Sequence, residues 1–382
     1  MADVLIAGGG IAGSALAVLL GRAGLAVELF ERGVFPKEKP CGEGLMPAGV
    51  GVLERHGLAD VVGGAPFHGV RYYAGALVAE GRFPAVAGLP ATGRGQRRCR
   101  LDYALFAAAA ATPGVTAAMA ARVEAPICAG GRVVGLVVEG EPRRAPLVVA
   151  ADGLRSPLRR QLGLDGPPPR RRRAGLRTHY RLAPGQAQPP WVEVFLGRGY
   201  EIYVTPLPEG EILVAGLAEQ SAITSGAAAA MRCWIAGQPL LRARLEGAEQ
   251  LTTIMGMAPL ASRARAGVAP GAVLLGDAAG FLDPITGGGM AQALLSAELL
   301  AGYVARELGR DDAWLWEFER ARRALLRDYR ILTHMVLGLA AHPWLARGML
   351  GLLRAAPTLF SHLLGVSGGM QRLIGPPLGR SD

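Results

Sequence analysis

The feature that most constrains this chain is the glycine-rich run Gly8-Gly9-Gly10-Ile11-Ala12-Gly13, which stands directly after a short apolar segment. That segment, residues 3–7, is typical of a buried strand, and the residues after the run continue as an apolar helix to about Leu20. Residues 25–30 are a second apolar strand. Strand, helix and strand form one βαβ unit, which predicts a parallel sheet within an α/β fold.

The glycines match the pattern G-x-G-x-x-G, in which each glycine has its own geometric task. Gly8 permits the tight turn, Gly10 lets the backbone approach a pyrophosphate, and Gly13 allows close packing of helix on strand. The free N–H groups and the positive dipole end of the following helix favour bound phosphate. Glu31 stands 18 residues after Gly13, where a carboxylate meets the ribose hydroxyls of adenosine. These features predict a dinucleotide site and fit NAD and FAD equally well.

A second glycine-rich motif decides between the two dinucleotides. A buried strand, residues 273–275, leads into Gly276-Asp277-Ala278-Ala279-Gly280, and the loop that follows ends at a helix near Met290. A carboxylate at a strand end, here Asp277, suits the ribityl hydroxyls of a flavin. The glycines at 287–289 let the helix N-terminus approach the isoalloxazine ring, where its dipole stabilises negative charge on the reduced ring. The motif therefore favours FAD.

Composition limits the class of partner. The chain has 382 residues, 51% of them apolar, which suits one large domain or two modest ones. The formal net charge is +10, but Lys37 and Lys39 are the only lysines among 41 basic residues, which indicates a compositional bias toward arginine. No zinc-finger, helix-turn-helix or aromatic basic pattern accompanies the charge, so we expect no nucleic-acid partner. Attraction to anionic cofactors, acidic carrier proteins or membrane surfaces stays open.

Apolar stretches and cysteines bear on location. Residues 1–21, 103–121 and 331–371 are apolar, but each is interrupted, and none supplies the run of about 20 apolar residues that a membrane span needs. The four cysteines show no C-x-x-C spacing, so we expect neither a disulfide framework nor a metal site. A reducing cytoplasm is the expected location, with peripheral membrane contact as an alternative.

The remaining pattern predicts two interleaved domains and a helical end. Residues 1–67, 98–165 and 250–308 form the predicted cofactor domain, to which a strand at 115–123 returns. Residues 68–97 and 166–249 form the predicted antiparallel-sheet substrate domain, whose alternating segments are 174–182, 190–196, 200–205 and 211–217. Residues 309–382 form a C-terminal helical cap with breaks at Pro343 and Pro357. The apolar part of the cap, 331–365, also fits a hydrophobic substrate tunnel or a surface that touches a bilayer.

Two further segments carry a family resemblance. Residues 148–156 are Val-Val-Ala-Ala-Asp-Gly-Leu-Arg-Ser, and residues 98–105 follow the pattern Arg-x-x-Leu-Asp-x-x-Leu. With the two glycine motifs they resemble the FAD-dependent superfamily that holds para-hydroxybenzoate hydroxylase, geranylgeranyl reductases and flavin-dependent halogenases. The resemblance covers about residues 1–305. It implies a Rossmann-like FAD-binding domain with an interleaved antiparallel-sheet substrate domain, and NAD(P)H as a transient electron donor.

The motifs and the resemblance together assign a cofactor site. Its members are Gly8, Gly10, Ile11, Ala12, Gly13, Glu31, Arg32, Arg98, Val123, Asp152, Asp277, Pro284, Gly287, Gly288, Gly289 and Met290. In the family the Asp-Gly pair that corresponds to Asp152 and Gly153 lies near the cofactor and the pyridine nucleotide.

Three segments indicate which branch of the superfamily the chain resembles, and the branches catalyse different reactions. Gly280 stands where the hydroxylases typically carry His, and residues 39–47, Lys-Pro-Cys-Gly-Glu-Gly-Leu-Met-Pro, resemble the Cys-Gly loop of geranylgeranyl reductases. Gly288 departs from that group's Thr-Gly-Glu-Gly, and the loop is similar to the halogenases' Gly-Glu-Ser loop as well. The halogenase signature Trp-x-Trp-x-Ile-Pro is absent, because Trp314-Leu315-Trp316 continues as Glu-Phe-Glu.

The resemblance therefore leans toward a reductase that saturates a carbon–carbon double bond in a hydrophobic small molecule, such as a lipid, an isoprenoid or a polyketide. A flavin monooxygenase acting through a C4a-hydroperoxide is the alternative. A halogenase, a plain NAD-dependent dehydrogenase and a non-catalytic flavin or lipid binder rank behind both.

Four side chains are candidates for chemistry or substrate contact. Cys41, in a Gly/Pro loop beside the flavin, suits a proton donor, and Glu43 suits a general acid or base or a hydrogen-bonding clamp. His179 and Tyr203 belong to the strand-rich region and are candidates for substrate contact. Tyr203 shares a sheet face with Glu201 by the two-residue period. Ordinary packing is the alternative for all four.

A run of four arginines, residues 170–173, follows three prolines. It suits an anchor for the phosphate of NADPH or for an acidic carrier protein, and a solvated loop is the alternative.

Overall fold

The structure is a computed structural model that describes residues 1–169 and 171–375. Arg170 and residues 376–382, the end of the predicted cap, lie outside the described residues. The strands are β1 (Val4–Ala7), β2 (Val27–Phe30), β3 (Gly44–Leu45), β4 (Ala65–Phe67), β5 (Gly69–Ala74), β6 (Leu77–Arg82), β7 (Gly93–Gly95), β8 (Val115–Ala118), β9 (Val123–Ala129), β10 (Arg132–Val138), β11 (Glu141–Arg144), β12 (Leu147–Ala150), β13 (Arg173–Arg181), β14 (Val192–Leu196), β15 (Tyr200–Pro206), β16 (Glu211–Glu219), β17 (Glu249–Gln250), β18 (Met255–Met257), β19 (Val268–Ala269) and β20 (Ala272–Leu274). The helices are α1 (Ile11–Arg22), α2 (Pro47–Arg55), α3 (Ala59–Val62), α4 (Arg98–Ala110), α5 (Pro157–Gln161), α6 (Ala227–Ala236), α7 (Pro239–Arg244), α8 (Gly289–Glu307), α9 (Ala313–Ala340), α10 (Pro343–Ala355) and α11 (Pro357–Ser367). Short 3-10 turns span Gln220–Ala222, Gly276–Ala279 and Pro284–Thr286.

A six-stranded sheet in the order β19-β20-β12-β1-β2-β8 forms the centre of the first layer. Its pairs are parallel except for β19 with β20. Its strands come from separated parts of the chain, which confirms the predicted mixed α/β architecture. Because parallel strands end at the same edge, the loops after β1, β12 and β20 come together there.

Both faces of this sheet are buried. Val4 and Ile6 belong to a core shared with α1, α4 and α8, whereas Leu5 and Ala7 belong to a second core with Leu136 of β10. The alternation follows from the two-residue period of a strand. Helices cover one face and the antiparallel sheet β11-β10-β9 covers the other, which explains why β1 is apolar at every position.

The segment predicted as one strand at 115–123 is divided in the structure. β8 ends at Ala118 and joins the parallel sheet, whereas β9 begins at Val123 and pairs with β10. Ala120, between the two strands, has a φ of 52°, a left-handed conformation that interrupts an extended chain.

The second large sheet has eight strands in the order β17-β13-β16-β15-β14-β5-β6, with β18 also paired to β13. Its pairs are antiparallel except for β14 with β5. β7 lies in the segment predicted for this sheet but pairs instead with β3 and β4. β17 lies at the predicted boundary near residue 250, and β18 extends the sheet past it. With two and three residues they are too short to show an alternating pattern.

Three C-terminal helices, α9, α10 and α11, close the molecule beside this sheet. α10 begins at Pro343 and α11 at Pro357, since proline suits the first turn of a helix but not its interior. Phe360 and Leu364 of α11 pack in a core with Val70 and Ala79 of β5 and β6. Within the described residues, no single helix has both the length and the apolar character that crossing a membrane requires.

Candidate active site

A large cavity of about 2320 Å³ lies where the two large sheets and the C-terminal helices meet. The residues that follow three parallel strands reach it: Gly8 after β1, Asp152 after β12 and Asp277 after β20. Tyr203 of β15 and Leu350 of α10 line other walls. The cavity thus adjoins the carboxyl edge of the parallel sheet, where open α/β folds bind ligands.

The glycine-rich turn between β1 and α1 forms one end of the cavity. Gly8 has a φ of 109°, and a Cβ there would lie 2.3 Å from the carbonyl oxygen of Ala151. A Cβ at Gly13 would lie 2.0 Å from the carbonyl oxygen of Gly8, and Gly13 lies behind the cavity wall. At Gly10 the nearest group is Lys39 Nζ, 3.3 Å from the position of a Cβ. Gly8 and Gly13 therefore shape the turn, and Gly10 leaves its backbone open to a ligand.

The start of α1 offers a site for an anion. Ile11 and Ala12 line the cavity, and the first-turn amides of a helix have no partner within it. Lys39 Nζ stands beside the turn, 2.5 Å from Oδ2 of Asp102. Arg98 donates to the same carboxylate at 2.8 and 3.0 Å and also lines the cavity. Burial lowers the pKa of Lys39, and the Asp102 carboxylate opposes that change.

Lys39 and Asp102 were not predicted as site residues. The sequence carried one signal for Lys39, because it is one of only two lysines in an arginine-rich chain. Both lysines line the cavity in the structure. Asp102 carried none beyond its place in the arginine motif.

Glu31 follows β2 and is almost completely buried, with 4% of its surface exposed. Its Oε2 accepts from the Gly9 amide at 3.1 Å, its Oε1 accepts from the Gly33 amide at 2.8 Å, and Lys37 forms an ion pair with it. Burial raises the pKa of Glu31, but Lys37 and the Gly33 amide outweigh burial, and the net pKa is lowered. Arg32 lines the cavity beside it. An ionised carboxylate at this point suits ribose hydroxyls.

Two aspartates at strand ends have unused hydrogen-bonding capacity. Asp152 Oδ2 accepts from the Leu158 amide at 3.2 Å, and its buried Oδ1 has no partner among the described residues. Asp277 faces the cavity, and within the described part of the chain nothing donates to its carboxylate. Burial raises the pKa of Asp152, with the Ser156 hydroxyl opposing it. Burial likewise raises the pKa of Asp277, with Arg98 and Lys39 opposing it.

The N-terminus of α8 faces the cavity from the opposite side. Pro284, Gly287, Gly289 and Met290 line the wall, and Gly287 adopts a left-handed φ of 71° before the helix begins. Gly288 was predicted to line the cofactor site, but it lies behind the wall.

The reason is the packing of Gly288 against the C-terminal helices. A Cβ at this position would lie 2.4 Å from the Tyr329 ring and 2.9 Å from the Ser367 carbonyl oxygen. Gly288 therefore allows α8 to approach α9 and α11, a requirement that the local sequence does not reveal.

Cys41 and Glu43 lie on one loop next to this helix end. Cys41 is half-buried and lines the cavity, its Sγ 3.9 Å from Sδ of Met290 and 3.4 Å from the Glu43 amide that donates to it. Glu43 adjoins the wall but is completely buried. Its Oε1 accepts from the Arg98 amide at 2.9 Å, and its Oε2 lies 2.8 Å from Nε2 of His179.

His179 was predicted to contact substrate, and the structure places it elsewhere. It is completely buried behind Glu43 rather than in the cavity wall. Its Nδ1 lies 3.1 Å from Nη1 of Arg177 and 3.0 Å from Oγ1 of Thr252. The loop from Glu38 to Glu43 covers this end of β13, which an alternation pattern within the strand cannot indicate.

Glu38, Glu43 and His179 each offer a donor atom within 4.8 Å of the others, a spacing that could hold a metal ion. Arg177 already pairs with two of the three, because its Nη2 lies 2.5 Å from Oε2 of Glu38 and its Nη1 lies 3.1 Å from Nδ1 of His179. We interpret the group as a largely buried ion-pair network around the guanidinium of Arg177 and assign no metal to it.

Tyr203 lines the cavity, and its hydroxyl donates to the Ile285 carbonyl at 3.1 Å. Burial raises the pKa of Tyr203 well above its usual value. Arg173, in the same sheet, donates to Asp283 Oδ1 and to Glu201 Oε2, both at 2.8 Å. These contacts tie the eight-stranded sheet to the loop before α8.

The arginines of the run 170–173 do not share one environment. Arg173 is buried in an ion-pair network and is not a free phosphate anchor, and Arg170 lies outside the described residues. Arg171 lines the cavity and donates to the Leu337 carbonyl at 2.9 Å.

The far part of the cavity is apolar and comes from the eight-stranded sheet and the C-terminal helices. Its apolar lining comprises Val70, Tyr72, Val192, Val194, Leu196, Leu217, Leu332, Met335, Val336, Leu339, Trp344, Met349, Leu350, Leu353, Phe360, Leu363 and Leu364. The sequence left open whether the apolar segment 331–365 forms a helical cap or a substrate tunnel. In the structure its helices cover the eight-stranded sheet and also form one wall of the cavity.

The polar end of the cavity fits FAD. The open backbone at Gly10, the first turn of α1 and Lys39 form a cradle for a pyrophosphate. Glu31 suits the ribose, and the carboxylate of Asp277, which accepts no hydrogen bond within residues 1–169 and 171–375, suits hydroxyl donors of the ribityl chain. The N-terminus of α8 supplies a positive dipole end for the ring. Val123 of β9 lines the same end of the cavity.

Comparison with known proteins identifies the family. Residues 1–197, more than half of the chain, match the family model described as FAD binding domain. The menaquinone reductase of Mycolicibacterium smegmatis is 29% identical over 315 residues, covering 78% of this chain and 75% of that protein. A squalene epoxidase of Aspergillus fumigatus is 31% identical over 328 residues, covering 80% of this chain and 67% of that protein. The digeranylgeranylglycerophospholipid reductase of Thermoplasma acidophilum is 28% identical over 331 residues, covering 80% of this chain and 78% of that protein.

A solved structure shows the same fold. The flavoprotein/dehydrogenase from Cytophaga hutchinsonii has a TM-score of 0.84 and 24% sequence identity, and the match covers 96% of this chain and 92% of that chain. The family match includes the glycine-rich turn, Glu31, Arg98 and Asp152. The chain therefore belongs to the FAD-binding-domain family, and it is an FAD-dependent oxidoreductase.

Proposed function

We propose that this oxidoreductase takes electrons from NAD(P)H and saturates a carbon–carbon double bond in a hydrophobic lipid of the isoprenoid class. The observation that carries the proposal is that one cavity contains a thiol, Cys41, beside the N-terminus of α8 and an apolar wall beyond it. Two of the three relatives above are named as reductases, and all three names refer to isoprenoid compounds.

The cofactor end of the cavity binds and orients. FAD, when bound, supplies the chemistry of a hydride acceptor and donor. The first turn of α1 and Lys39 would neutralise its phosphates, while Glu31 and Asp277 would accept hydrogen bonds from its ribose and ribityl hydroxyls. The N-terminus of α8 favours electron-rich forms of the ring, because its dipole is positive at that end.

The thiol of Cys41 supplies the proton that a reduction needs. Saturating a double bond adds a hydride to one carbon and a proton to the other, while NAD(P)H becomes NAD(P)⁺. Cys41 is half-buried on the cavity wall, so it can contact a bound alkene, and the thiolate left behind regains its proton from solvent. Glu43 is completely buried with both oxygens in hydrogen bonds, so its role is to position the loop.

The apolar wall selects the substrate. Strands β5, β14 and β16 and helices α9, α10 and α11 surround the far part of the cavity with aliphatic and aromatic side chains. A long hydrocarbon chain gains about 25 cal/mol for each Å² of apolar surface that it buries there. A polar metabolite would leave this wall unused.

A second candidate is oxygen-dependent monooxygenation of a similar substrate. The 31% identity to a squalene epoxidase favours it. Transfer of an oxygen atom to an alkene does not require a protein acid at Cys41, so the two candidates differ in their need for this thiol and for oxygen.

Product analysis tests the proposal. The purified holoprotein is incubated with NADPH or NADH and with squalene, a menaquinone or a geranylgeranyl phospholipid, each with and without oxygen, and products are analysed by mass spectrometry. We expect a product whose hydrocarbon chain has gained two hydrogens at a former double bond and that forms equally well without oxygen. A product that has gained one oxygen atom, formed only in air, would instead establish the monooxygenase.

A further inference from the structure

The C-terminal part of the chain has an unusual charge pattern. Between Tyr329 and Ser381 the sequence contains no aspartate or glutamate, although it contains five arginines and three histidines. The described part of this segment forms the end of α9, all of α10 and α11, and the residues to 375. A surface built from it attracts anions and offers no carboxylate of its own.

The same segment exposes large apolar side chains. They are Trp344 at 72% exposure, Met335 and Leu352 at 50%, Ile331 at 43% and Leu359 at 38%. Solvent-exposed apolar residues in such a group mark interaction sites more often than isolated ones do. We call these five residues the apolar patch.

Helix α10 explains how the patch relates to the cavity. Trp344, Gly348 and Leu352 recur every four residues and form one exposed face. Ala346, Leu350 and Leu353 lie on the opposite face and line the cavity. Because α10 is apolar on both faces, we expect its exposed face to contact an apolar partner, as its other face does in the cavity wall.

Arginines border the exposed face. Arg347 and Arg354 are exposed, and because they are seven residues apart they form a single stripe along α10 beside Trp344. Arg330 is exposed on α9 one residue before Ile331 of the patch. An apolar face with a tryptophan and flanking arginines is typical of a helix that lies in a lipid interface.

The cavity reaches the surface at the patch. Trp344 and Met335 are both exposed and both line the cavity, so they stand at its mouth between α10 and α9. A hydrophobic molecule that enters there would pass from the medium in contact with the patch directly to the apolar wall.

We propose that the apolar patch and its arginines dock on the surface of an anionic lipid bilayer, and that the cavity mouth opens toward the lipid. Docking stands independently of the reaction, whereas delivery of a substrate from the bilayer rests on the proposed function. The geometry favours lying on the bilayer over crossing it. α10 has 13 residues and α11 has 11, and the two are bent by 111°, so neither spans a hydrocarbon core of about 30 Å.

A second copy of the chain is a poorer occupant for the patch. A two-fold interface places the same surface against itself, so Arg347 and Arg354 of each copy would face arginines with no acid from this segment to pair with them. Anionic headgroups pair with the arginines while acyl chains accept Trp344 and Leu352.

Vesicle sedimentation tests the proposal with the full-length FAD-loaded protein. The probes are phosphatidylcholine vesicles with and without phosphatidylglycerol. We expect sedimentation with the phosphatidylglycerol vesicles at low salt, and a loss of about tenfold in affinity in the double variant Trp344→Ser/Leu352→Ser. Trp316→Ser is the matched control, because Trp316 is also 50% exposed but lies near the start of α9, outside the patch. We expect it to bind as the wild type does.

A second double variant, Arg347→Gln/Arg354→Gln, keeps the test valid if the apolar variant folds poorly, which bound-FAD absorbance would reveal. We expect it to lose about tenfold in affinity for the anionic vesicles and to lose most of the salt dependence.

Three results would overturn the proposal: no sedimentation of the wild type, equal binding by the patch and Trp316 variants, or binding to neutral vesicles that the arginine variant leaves unchanged. A concentration-dependent dimer that is abolished by the patch variant, without vesicle binding, would assign the patch to a second copy. All readouts are taken without substrate or NAD(P)H, so a failed reductase assay and a failed docking assay remain distinguishable.

Discussion

Nε2 of His179 lies 2.8 Å from Oε2 of Glu43; both side chains are completely buried, Glu43 at the cavity wall and His179 behind it. On the other side of the imidazole, Nδ1 faces the guanidinium of Arg177 at 3.1 Å. A guanidinium can only donate, so Nδ1 accepts and Nε2 carries the proton that His179 donates to Glu43. Glu43 also accepts from the Arg98 amide, and its own amide donates to Cys41. The imidazole thus fixes the loop that presents the thiol.

Removing the imidazole should destabilise the fold. In His179→Ala the Glu43 carboxylate loses a hydrogen bond while it stays buried, so we expect a loss of about 2 kcal/mol in the free energy of unfolding. Urea denaturation measures it. His334→Ala, at an exposed histidine of α9, should change stability by less than about 0.5 kcal/mol. Equal effects in the two variants would contradict the role assigned to His179.

Cys41 should matter for the substrate half-reaction alone. In Cys41→Ala we expect the reduction of the alkene to slow by about 10²-fold or more, because the proton donor is lost. Reduction of bound FAD by NAD(P)H should be unchanged. Stopped-flow absorbance separates the two steps.

Cys99→Ala is the matched control for the thiol. Cys99 is half-buried on α4, outside the cavity wall, and burial raises its pKa to about 11. This variant should behave as the wild type in both steps. A Cys41→Ala enzyme with full activity on the alkene would remove the thiol from the mechanism.

Gly8 and Gly10 should respond differently to a methyl group. Gly8→Ala places Cβ against the Ala151 carbonyl at a positive φ, so we expect the apoprotein to lose several kcal/mol of stability or fail to fold. In Gly10→Ala the Cβ meets only the end of the Lys39 side chain, at 3.3 Å, and no backbone atom, so apoprotein stability should change by less than about 1 kcal/mol.

The Gly10 variant should nevertheless bind FAD at least about tenfold more weakly, because the methyl group holds the pyrophosphate away from the α1 amides. Titration calorimetry of apoprotein with FAD measures the affinity. Unchanged affinity in Gly10→Ala would contradict the placement of the pyrophosphate.

Asp283 should give the protein a specific pH dependence. Arg173 donates hydrogen bonds to both Asp283 and Glu201. Burial raises the pKa of Asp283 to about 6, although the charge of Arg173 acts to lower it. A carboxyl whose pKa is higher in the folded state stabilises the fold below its unfolded pKa of about 4, and the contribution is lost as pH rises through about 6.

In Asp283→Asn this pH dependence should disappear. The unfolding free energy of the variant minus that of the wild type should rise by about 2 kcal/mol between about pH 4.5 and about pH 7.5. Urea denaturation across this range checks it. Asp60→Asn, at an exposed aspartate, is the control and should show no such slope. A flat difference for Asp283→Asn would mean that its folded and unfolded pKa values coincide.

The sequence was most informative where function depends on local geometry. The βαβ unit, the turn at Gly8 and the loop before α8 follow from glycine spacing, because the backbone itself must adopt those conformations. The strands from 173 to 219 follow from alternation in a sheet with two distinct faces. Helix breaks at Pro343 and Pro357 follow from the missing N–H of proline.

Contacts between distant residues were not predictable in the same way. Gly288 packs on Tyr329, and His179 is covered by the loop of Glu43, 136 residues away in sequence. Arg173 meets Asp283 across a separation of 110 residues. A local pattern indicates that a side chain is buried, but it does not identify the partner that buries it.

We propose above that this enzyme saturates an isoprenoid alkene with electrons from NAD(P)H and with Cys41 as the acid. The most direct test is an anaerobic spectrophotometric titration of the holoprotein, first with NADPH or NADH and then with the lipid alkene. We expect NAD(P)H to bleach the oxidised flavin band, the alkene to restore it without oxygen, and Cys41→Ala to block only the second step. Restoration of the band by oxygen alone, with no response to any of the isoprenoid alkenes, would contradict it.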